Sequence, residues 1–236
     1  MLNRAPNLAT QVLTDLERRI YGGSIPPGTK VNESHLATEL GVSRGPIREA
    51  CRALESERII EAFPQRGSFV RKISVKEATD LFAIREELSG IIARGIIENA
   101  PAGFADQLQV FVNEMDAGIA AGDLESFFPT NLQFHKILLS GTGNRRLEDI
   151  FLGLFKELRL FRIQSFLPER HFPDRVLAYN TDSNRGHGLI IAAIRSGSYE
   201  TLTDALRQQV RASRDRSFQA FARSTGGGES SVGEVA

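Results

Sequence analysis

Residues 33–54 read ESHLATELGVSRGPIREACRAL, in which two short apolar-periodic segments are separated by a Gly-Val-Ser break. The second segment carries Arg44, Arg48 and Arg52, whose spacing of four residues places them in one stripe on an α-helix. The neighbouring face of that helix is apolar, with Ile47, Ala50, Cys51 and Leu54. The pattern is typical of a helix-turn-helix motif, whose second helix lies in the major groove of DNA.

The flanking sequence predicts a winged helix around this motif. Apolar periodicity predicts three helices and two strands, over residues 8–21, 33–40, 44–57, 59–63 and 68–71. Asn32 and Ser43 stand at the N-cap positions of the second and third helices. The segment 64–67, Pro-Gln-Arg-Gly, joins the two strands into a small β-hairpin wing.

From residue 74 onward the sequence changes to helical periodicity with few strand signals. Six helices are predicted, near 75–99, 103–121, 124–140, 144–167, 176–196 and 199–222. Residues 223–236 are glycine-rich with little apolar content, and they are expected to be a disordered tail. The expected fold is mainly α, with a winged helix-turn-helix over 1–73 and an all-α bundle of about six helices over 74–222.

The composition favours a cytoplasmic protein that contacts DNA through its N-terminal part. The chain has 236 residues, of which 41% are hydrophobic, and this length favours two domains. Its 29 basic and 29 acidic residues cancel, but residues 1–73 hold 11 Lys and Arg against 8 Asp and Glu. The one cysteine, Cys51, excludes an internal disulfide and is expected to lie in the core. There is neither a secretion signal nor an apolar run long enough to span a membrane.

Residues 8–71 resemble the winged-helix domain of the GntR family of bacterial transcription regulators. The resemblance rests on a Ser-Arg-x-Pro-x-Arg-Glu-Ala motif that begins at Ser43, and on residues that flank it. These are Ile25-Pro26-Pro27-Gly28, Glu33, Leu36-Ala37, Leu40-Gly41-Val42, Leu54, Arg66-Gly67 and Val70. One departure is Arg58, which replaces the usual glycine where the backbone is expected to be left-handed.

This resemblance implies a set of residues that contact DNA. Arg44 and Arg48 would contact operator bases or phosphates from the major groove, and the wing tip at Arg66 and Gly67 would reach the adjacent minor groove. The alternative for the arginine stripe is a solvated cationic face offset by neighbouring glutamates. The full expected set is Ser34, Ser43, Arg44, Gly45, Arg48, Arg52, Arg66 and Gly67.

Four polar side chains from three helices are candidates to converge inside the predicted bundle. Asn131 and His135 lie four residues apart on one helical face, among several phenylalanines. His187 begins a strongly apolar stretch, and Gln209 lies on the last helix. Metal and small-ligand sites in helical bundles are built from facing polar groups of this kind.

Residues 76–222 resemble the all-helical, FCD-type effector domain in the FadR branch of the same family. The likeness rests on Leu81-Phe82-x-Ile84-Arg85, Phe134-His135, Gly143-Asn144 and His187-x-x-Ile190-x-x-Ala193-Ile194. In many members the four pocket positions are Asp, His, His and His, which bind a divalent metal that helps to hold a carboxylate metabolite. Here Asn131 and Gln209 replace two of them, so His135 and His187 keep the ligand chemistry.

Three interpretations of the pocket follow. In the first, His135 and His187 hold a divalent metal such as zinc, nickel or manganese, with Asn131 and Gln209 at weakened ligand positions. In the second, no cofactor is required, and the same four side chains hydrogen-bond an anionic ligand directly. In the third, they are core polar groups satisfied within the protein.

Arginines of the bundle are expected to supply positive charge to an acidic effector. Arg85 matches a position that often faces the effector in relatives, and its alternative role is a surface salt bridge with Glu86 or Glu87. Arg159 and Arg162 lie on a helix expected to line the same cavity. The expected effector-binding set is Arg85, Asn131, His135, Arg162, His187 and Gln209.

The sequence therefore predicts a ligand-responsive transcription regulator, acting as a repressor, and not an enzyme. A homodimer would bind a short palindromic operator in double-stranded DNA, because one recognition helix contacts too few base pairs. The effector would be a small organic acid. The alternative is an all-α metal-dependent enzyme tethered to nucleic acid, with His135 and His187 as metal ligands. His35 is expected near a phosphate, and His171 is expected in a proline-bounded loop. Neither has a neighbouring acid, base or nucleophile in the sequence that would suggest catalysis.

Overall fold

The computed structural model describes residues 7–123, 126–166 and 172–226. Its N-terminal part contains three helices and a hairpin, in the order α1 (Leu8–Tyr21), α2 (Glu33–Glu39), α3 (Arg44–Ser56), β1 (Ile60–Phe63) and β2 (Gly67–Val70). The strands are antiparallel, with Ile60 opposite Val70 and Phe63 opposite Gly67. This arrangement confirms the predicted winged helix-turn-helix with its small wing.

Asparagine side chains cap the first two helices. Asn7 and Asn32 accept hydrogen bonds from the backbone N–H groups of Thr10 and His35, at 2.8 and 3.1 Å. Ser43 stands at the N-cap of α3 as predicted, but its side chain makes no capping hydrogen bond within the described part of the chain. The side-chain cap expected at Ser43 is therefore wrong, and Ser43 is exposed.

Two residues with left-handed backbones follow the ends of α2 and α3. Gly41 has a φ of 65°, and Arg58 has a φ of 59°. A left-handed backbone is less favourable for arginine than for glycine, but the carbonyl of Arg58 accepts a 2.7 Å hydrogen bond from Arg71 Nη1. The left-handed conformation expected at this departure from the family pattern is confirmed.

The C-terminal part confirms the predicted all-α bundle. Its helices are α4 (Val75–Asn99), α5 (Phe104–Ala120), α6 (Phe127–Ser140), α7 (Arg145–Phe166), α8 (Pro173–Ser196) and α9 (Tyr199–Gly226). Among the helices that the structure describes, none is both long and apolar enough to cross a membrane.

Three helix ends differ from the sequence prediction by three or four residues. α6 begins at Phe127 and not at 124, with Ser126 at its N-cap. α8 begins at Pro173 and not at 176, because a proline in the first turn lacks only an N–H that has no partner in the helix. α9 continues to Gly226, so residues 223–226 belong to the helix and not to the expected disordered tail. The hydroxyl groups of Ser224 and Thr225 bond to the carbonyl of Phe221, at 2.8 and 3.0 Å, in this last turn. The predicted tail from 227 onward and the predicted loop around 171 lie outside the described residues.

One hydrophobic core joins the winged helix to the bundle. Leu16, Ile20 and Leu54 of the winged helix belong to the same cluster of buried side chains as Leu160 and Phe161 of α7. Burial of one such side chain stabilises a fold by about 1.5–3 kcal/mol. A second cluster fills the remainder of the bundle. The winged helix is therefore packed directly against α7, the helix that carries Arg159 and Arg162.

Candidate functional site

The third helix separates a buried apolar face from an arginine stripe. Its buried residues are Ile47, Ala50, Cys51 and Leu54. Arg44, Arg48 and Arg52 are exposed. Arg48 Nε lies 3.4 Å from Glu33 Oε2 in a solvent-exposed ion pair, which holds the guanidinium only weakly. Burial raises the pKa of the Cys51 thiol to about 11, in keeping with a core residue and not a nucleophile.

The wing presents a second cation at the tip of the hairpin. The guanidinium carbon of Arg66 lies 5.5 Å from the ring centroid of Phe63 and 5.9 Å from that of Phe69. The two rings meet edge to face with centroids 5.7 Å apart. Gly67 has a φ of 91°, which favours glycine at this turn. The wing thus holds the exposed Arg66 over an aromatic platform.

The remaining predicted DNA contacts lie at the starts of α2 and α3. Ser34, Ser43 and Gly45 are exposed there, where helix N-termini offer backbone N–H groups to anions. Among the described residues, a Cβ added to Gly45 would meet the Ser43 hydroxyl at 3.8 Å, which is an ordinary contact. The fold itself therefore does not require glycine at position 45.

The bundle contains a small cavity lined from α4, α6, α7, α8 and α9. Five of the six expected effector residues line it: Arg85, Asn131, His135, Arg162 and Gln209. Its volume is about 40 Å³, which is room for a few water molecules. Pockets for drug-sized ligands measure roughly 300–1,000 Å³, so a metabolite would require lining side chains to move.

His187 is the one expected effector residue that does not line the cavity, and it contacts the lining residue His135. Their ring centroids are 5.4 Å apart, and both rings are buried. Burial, together with the neighbouring His187 and Arg85, holds the pKa of His135 well below its usual value. Burial and then Arg216 lower the pKa of His187 to about 3. Both imidazoles are therefore neutral at physiological pH.

Asn184 fixes the tautomer of His187. The Asn184 side-chain N–H group donates to the carbonyl of Val112 at 3.0 Å and to Asp116 Oδ1 at 2.7 Å. Its oxygen lies 3.3 Å from His187 Nδ1 and therefore accepts the proton of that nitrogen. The lone pair is on Nε2, which has no hydrogen-bond partner within the described residues. Sequence reasoning missed Asn184, although its spacing of three residues from His187 on one helix was an available signal.

The two amide residues of the predicted set behave differently. Gln209 is held against α8, because its side-chain N–H group donates to the carbonyl of Ser183 at 3.1 Å. Asn131 is buried, and its Oδ1 has no hydrogen-bond partner in the described part of the chain. Since a lone buried carbonyl oxygen is costly, Asn131 remains available to a donor that enters the cavity.

Arg85 faces the interior and not the surface. It is 5% exposed, and its guanidinium carbon lies 4.8 and 5.4 Å from the ring centroids of Phe151 and Phe155. Burial lowers the pKa of Arg85 to about 10. The expected alternative of a surface pair with Glu86 is contradicted, because Glu86 accepts a 2.8 Å hydrogen bond from Arg211 instead.

Three further arginines lie in or beside the cavity wall. Arg159 and Arg162 line it, and their guanidinium carbons lie 3.2 and 4.5 Å from the ring centroid of Phe128. Arg216, which sequence reasoning missed, lies 5.1 Å from the ring centroid of Tyr179. Burial alone would raise the pKa of Tyr179, but Arg162 and Arg216 outweigh it and lower the pKa. The described lining residues include no carboxylate to balance these charges.

Family models match both parts of the chain. The model "Bacterial regulatory proteins, gntR family" matches residues 8–70, and the model "FCD domain" matches residues 80–212. The chain belongs to the GntR family. As a GntR-family protein with an FCD domain, it is a DNA-binding transcription regulator and not an enzyme.

Relatives of this GntR-family chain are named as transcription regulators. It is 29% identical over 157 residues to "Uncharacterized HTH-type transcriptional regulator YdhC" of Bacillus subtilis, covering 66% of this chain and 70% of that protein. It is 27% identical over 227 residues to "Probable D-xylose utilization operon transcriptional repressor" of Paenarthrobacter nicotinovorans, covering 95% and 93%. The structure of "E. coli McbR/YncC" shares its fold, with a TM-score of 0.77 and 21% identity over 92% of this chain and all of that one.

Proposed function

We propose that this GntR-family regulator is a repressor whose operator binding responds to a small anionic metabolite in the bundle cavity. The charge of the cavity wall supports this most directly. Arg85, Arg159 and Arg162 line it, and no carboxylate lies among the described lining residues. Buried positive charge without a counter-ion is costly. A carboxylate or phosphate would compensate it through charge-assisted hydrogen bonds.

The neutral polar groups of the cavity would orient such an anion. His135 Nδ1 and Asn131 Oδ1 are buried without partners among the described residues. Asn131 Oδ1 can accept a hydrogen bond from a hydroxyl group of the ligand, and His135 Nδ1 can donate to a carboxylate or accept from a hydroxyl. Gln209 borders the same space from α9. His187 would act through His135 and fix the position of that ring.

No metal is required in this proposal, because the donor set does not fit a tightly bound divalent ion. His135 and His187 are two neutral imidazoles, and Asn131 adds a neutral oxygen, whereas structural and catalytic zinc sites use three or four strong ligands. In the described residues, no group of three or more His, Cys, Asp or Glu side chains could hold a metal. Arg85 also lies near enough to lower the pKa of His135, and its charge repels a cation. Stoichiometric zinc, nickel or manganese in protein purified without chelator would overturn this part of the proposal.

The proposed DNA contacts are the exposed residues of α2, α3 and the wing. Arg44, Arg48 and Arg52 would lie in the major groove, with Ser34, Ser43 and Gly45 beside the phosphates. Arg66 and Gly67 would enter the minor groove, where the narrow, negative groove attracts arginine. Gly45 would permit close approach of the DNA backbone, since no described residue lies close enough to require glycine there.

A homodimer would place two such surfaces on a palindromic operator. α4 supports this assembly, since it exposes Ile84 and Ile91 seven residues apart, at 48% and 53% exposure. Residues at this spacing share one helical face, and a second copy of the chain would cover it. Sedimentation should show a dimer for the native protein and a monomer for Ile91→Glu; a native monomer at micromolar concentration would contradict the assembly.

A thermal-shift screen tests the effector class. Acetate, citrate and phosphate are compared at matched ionic strength with D-xylose, a neutral sugar suggested by the name of the Paenarthrobacter relative. We expect at least one anion to raise the melting temperature and change operator affinity, because binding to the folded state stabilises it. Arg85→Gln should abolish both effects. Stabilisation by the sugar and by none of the anions would show that the proposed ligand class is wrong.

A further inference from the structure

One turn of α7 is anchored to the winged helix by ion pairs. Lys156 Nζ lies 2.6 Å from Glu57 Oε2 and 3.3 Å from Glu17 Oε1, and both glutamates belong to the winged helix. The next residue, Glu157, accepts a 2.8 Å hydrogen bond from Arg71, which follows the wing. Any displacement of this turn would therefore strain or break its ion pairs with the winged helix.

Arg159 belongs to the same turn and faces two ways. Its guanidinium carbon lies 3.9 Å from the ring centroid of Tyr21, the last residue of α1. It also lines the cavity, where Arg162 is its neighbour. Tyr21 does not line the cavity, so Arg159 connects the two regions directly.

Both residues of the contact between Arg159 and Tyr21 keep an unused hydrogen-bonding group. Arg159 Nε and the Tyr21 hydroxyl are buried without hydrogen-bond partners among the described residues. Burial, followed by the charge of Arg162, lowers the pKa of Arg159 to about 8. The guanidinium thus rests on an aromatic face, and no described carboxylate forms a direct ion pair with it, although Glu17 lies near enough to favour its charged form. An anion offers it stronger, charge-assisted hydrogen bonds.

We propose that Arg159 is the positioning residue that couples the cavity to the DNA-binding part, because a bound anion and the Tyr21 ring compete for its guanidinium. The inference rests on the proposed function of the cavity as an anion site. An anion draws the guanidinium inward and removes the cation from the Tyr21 ring, which loosens the contact between α7 and α1. Linkage makes the effect reciprocal, so operator binding that favours the intact contact weakens anion binding by the same factor.

The tyrosines of the chain allow a direct test. The sequence contains three tyrosines and no tryptophan. Tyr179 lines the cavity and reports occupancy, Tyr21 reports the contact with Arg159, and Tyr199, beside Arg94 on the bundle, is an internal control. Full-length protein with ¹³C-labelled tyrosine is titrated with phosphate and, separately, with citrate, at constant ionic strength, and the ring signals are followed by NMR.

In the native protein, the signals of Tyr21 and Tyr179 should shift along one saturation curve, while Tyr199 stays unchanged. In Arg159→Gln, Tyr179 should still respond and the Tyr21 shift should fall several-fold. Arg162→Gln is the matched control, since it removes a charge from the same helix and the same cavity without touching Tyr21. There the Tyr21 shift should persist whenever Tyr179 responds. If Arg159→Gln does not fold, Arg159→Lys, which keeps the charge but lacks the planar fork, should reduce the ratio of the two shifts.

The outcomes separate the two proposals. A response of Tyr179 without one of Tyr21 in the native protein would overturn the coupling and leave the anion site standing. A Tyr21 response of equal size in native protein and Arg159→Gln would also overturn it. The absence of any Tyr179 response to either anion would remove the proposed anion site, and the coupling with it.

Discussion

The side-chain oxygen of Gln209 lies 1.8 Å from the position that a Cβ atom on Gly186 would occupy. The glycine thus lets α9 place its amide against the backbone of α8. Gly186→Ala should displace Gln209, break its bond to Ser183 and lower the free energy of unfolding by about 1–3 kcal/mol, as overpacking does. Urea denaturation measures this change.

Gly188 on the same helix provides the control. A Cβ there would meet nothing within 4 Å among the described residues. Gly188→Ala should therefore raise the free energy of unfolding by up to about 1 kcal/mol, through helix propensity alone. Equal effects at the two positions would contradict the close contact between Gly186 and Gln209.

Arg48→Ala should weaken binding to an operator selected in vitro by about 1–3 kcal/mol, as expected for a guanidinium that meets a guanine edge. Arg44→Ala should weaken operator binding as well. If Arg44 contacts a phosphate, its loss should also reduce the slope of the logarithm of affinity against the logarithm of salt concentration by about one. Fluorescence anisotropy at several salt concentrations measures both quantities. Lys76→Ala is the control, because Lys76 is an exposed cation on α4 paired with Asp80. Unchanged affinity for both arginine variants would defeat the assignment of α3 as the recognition helix.

The buried imidazoles should make the protein less stable in mild acid. The pKa of His187 is about 3 in the folded protein and about 6.5 in the unfolded chain, so below pH 6.5 the unfolded state binds more protons. The free energy of unfolding should fall by up to about 1.4 kcal/mol per pH unit for each such histidine. His135, whose pKa is also depressed, adds to this slope.

Urea denaturation at several pH values between 7 and 5 checks this dependence. His187→Gln should make the slope shallower, because it removes one buried imidazole. A free energy of unfolding that does not change over this range would show that neither imidazole is held neutral by burial.

Glu157→Gln should destabilise the junction between the winged helix and the bundle. Glu157 is 5% exposed and pairs with Arg71, which also pairs with Glu77. Because Arg71 keeps one carboxylate partner, the loss should be about 1–3 kcal/mol and not the full cost of an orphaned buried charge. Asp80→Asn breaks the exposed pair with Lys76 and should change the free energy of unfolding far less in the same urea titration. Similar losses of unfolding free energy in the two variants would mean that the buried pair of Glu157 and Arg71 stabilises the protein no more than an exposed pair does.

Local signals in the sequence predicted most helix boundaries, because caps and breakers act over a few residues. Asn32 and Gly41 mark helix ends in both the sequence and the structure. Proline breaks a helix in its interior but is well suited to its first turn, so the sequence prediction places the start of α8 at 176, three residues after its true start at Pro173.

The candidate cavity could be predicted only in part. His135 and Arg85 carried a family pattern, and the structure places both at the cavity. Arg216 and Asn184 carried none, and their positions depend on how α8 and α9 rotate against each other. That rotation is set by long-range packing, which periodicity along one helix does not encode. The contact between Arg159 and Tyr21 was missed for the same reason, since 138 positions separate them in the chain.

The shared core has a consequence for how the protein unfolds. Ile59 and Ile73 are completely buried in the cluster that also contains Leu160 and Phe161. A fragment ending at residue 73 would lack Leu160 and Phe161, so part of this shared cluster would be exposed to water, and such exposed surface promotes aggregation. Heating the full chain should accordingly melt the DNA-contacting part and the adjoining helices in a single cooperative transition. Any compound that binds the bundle would then protect the distant recognition helix from proteolysis as well.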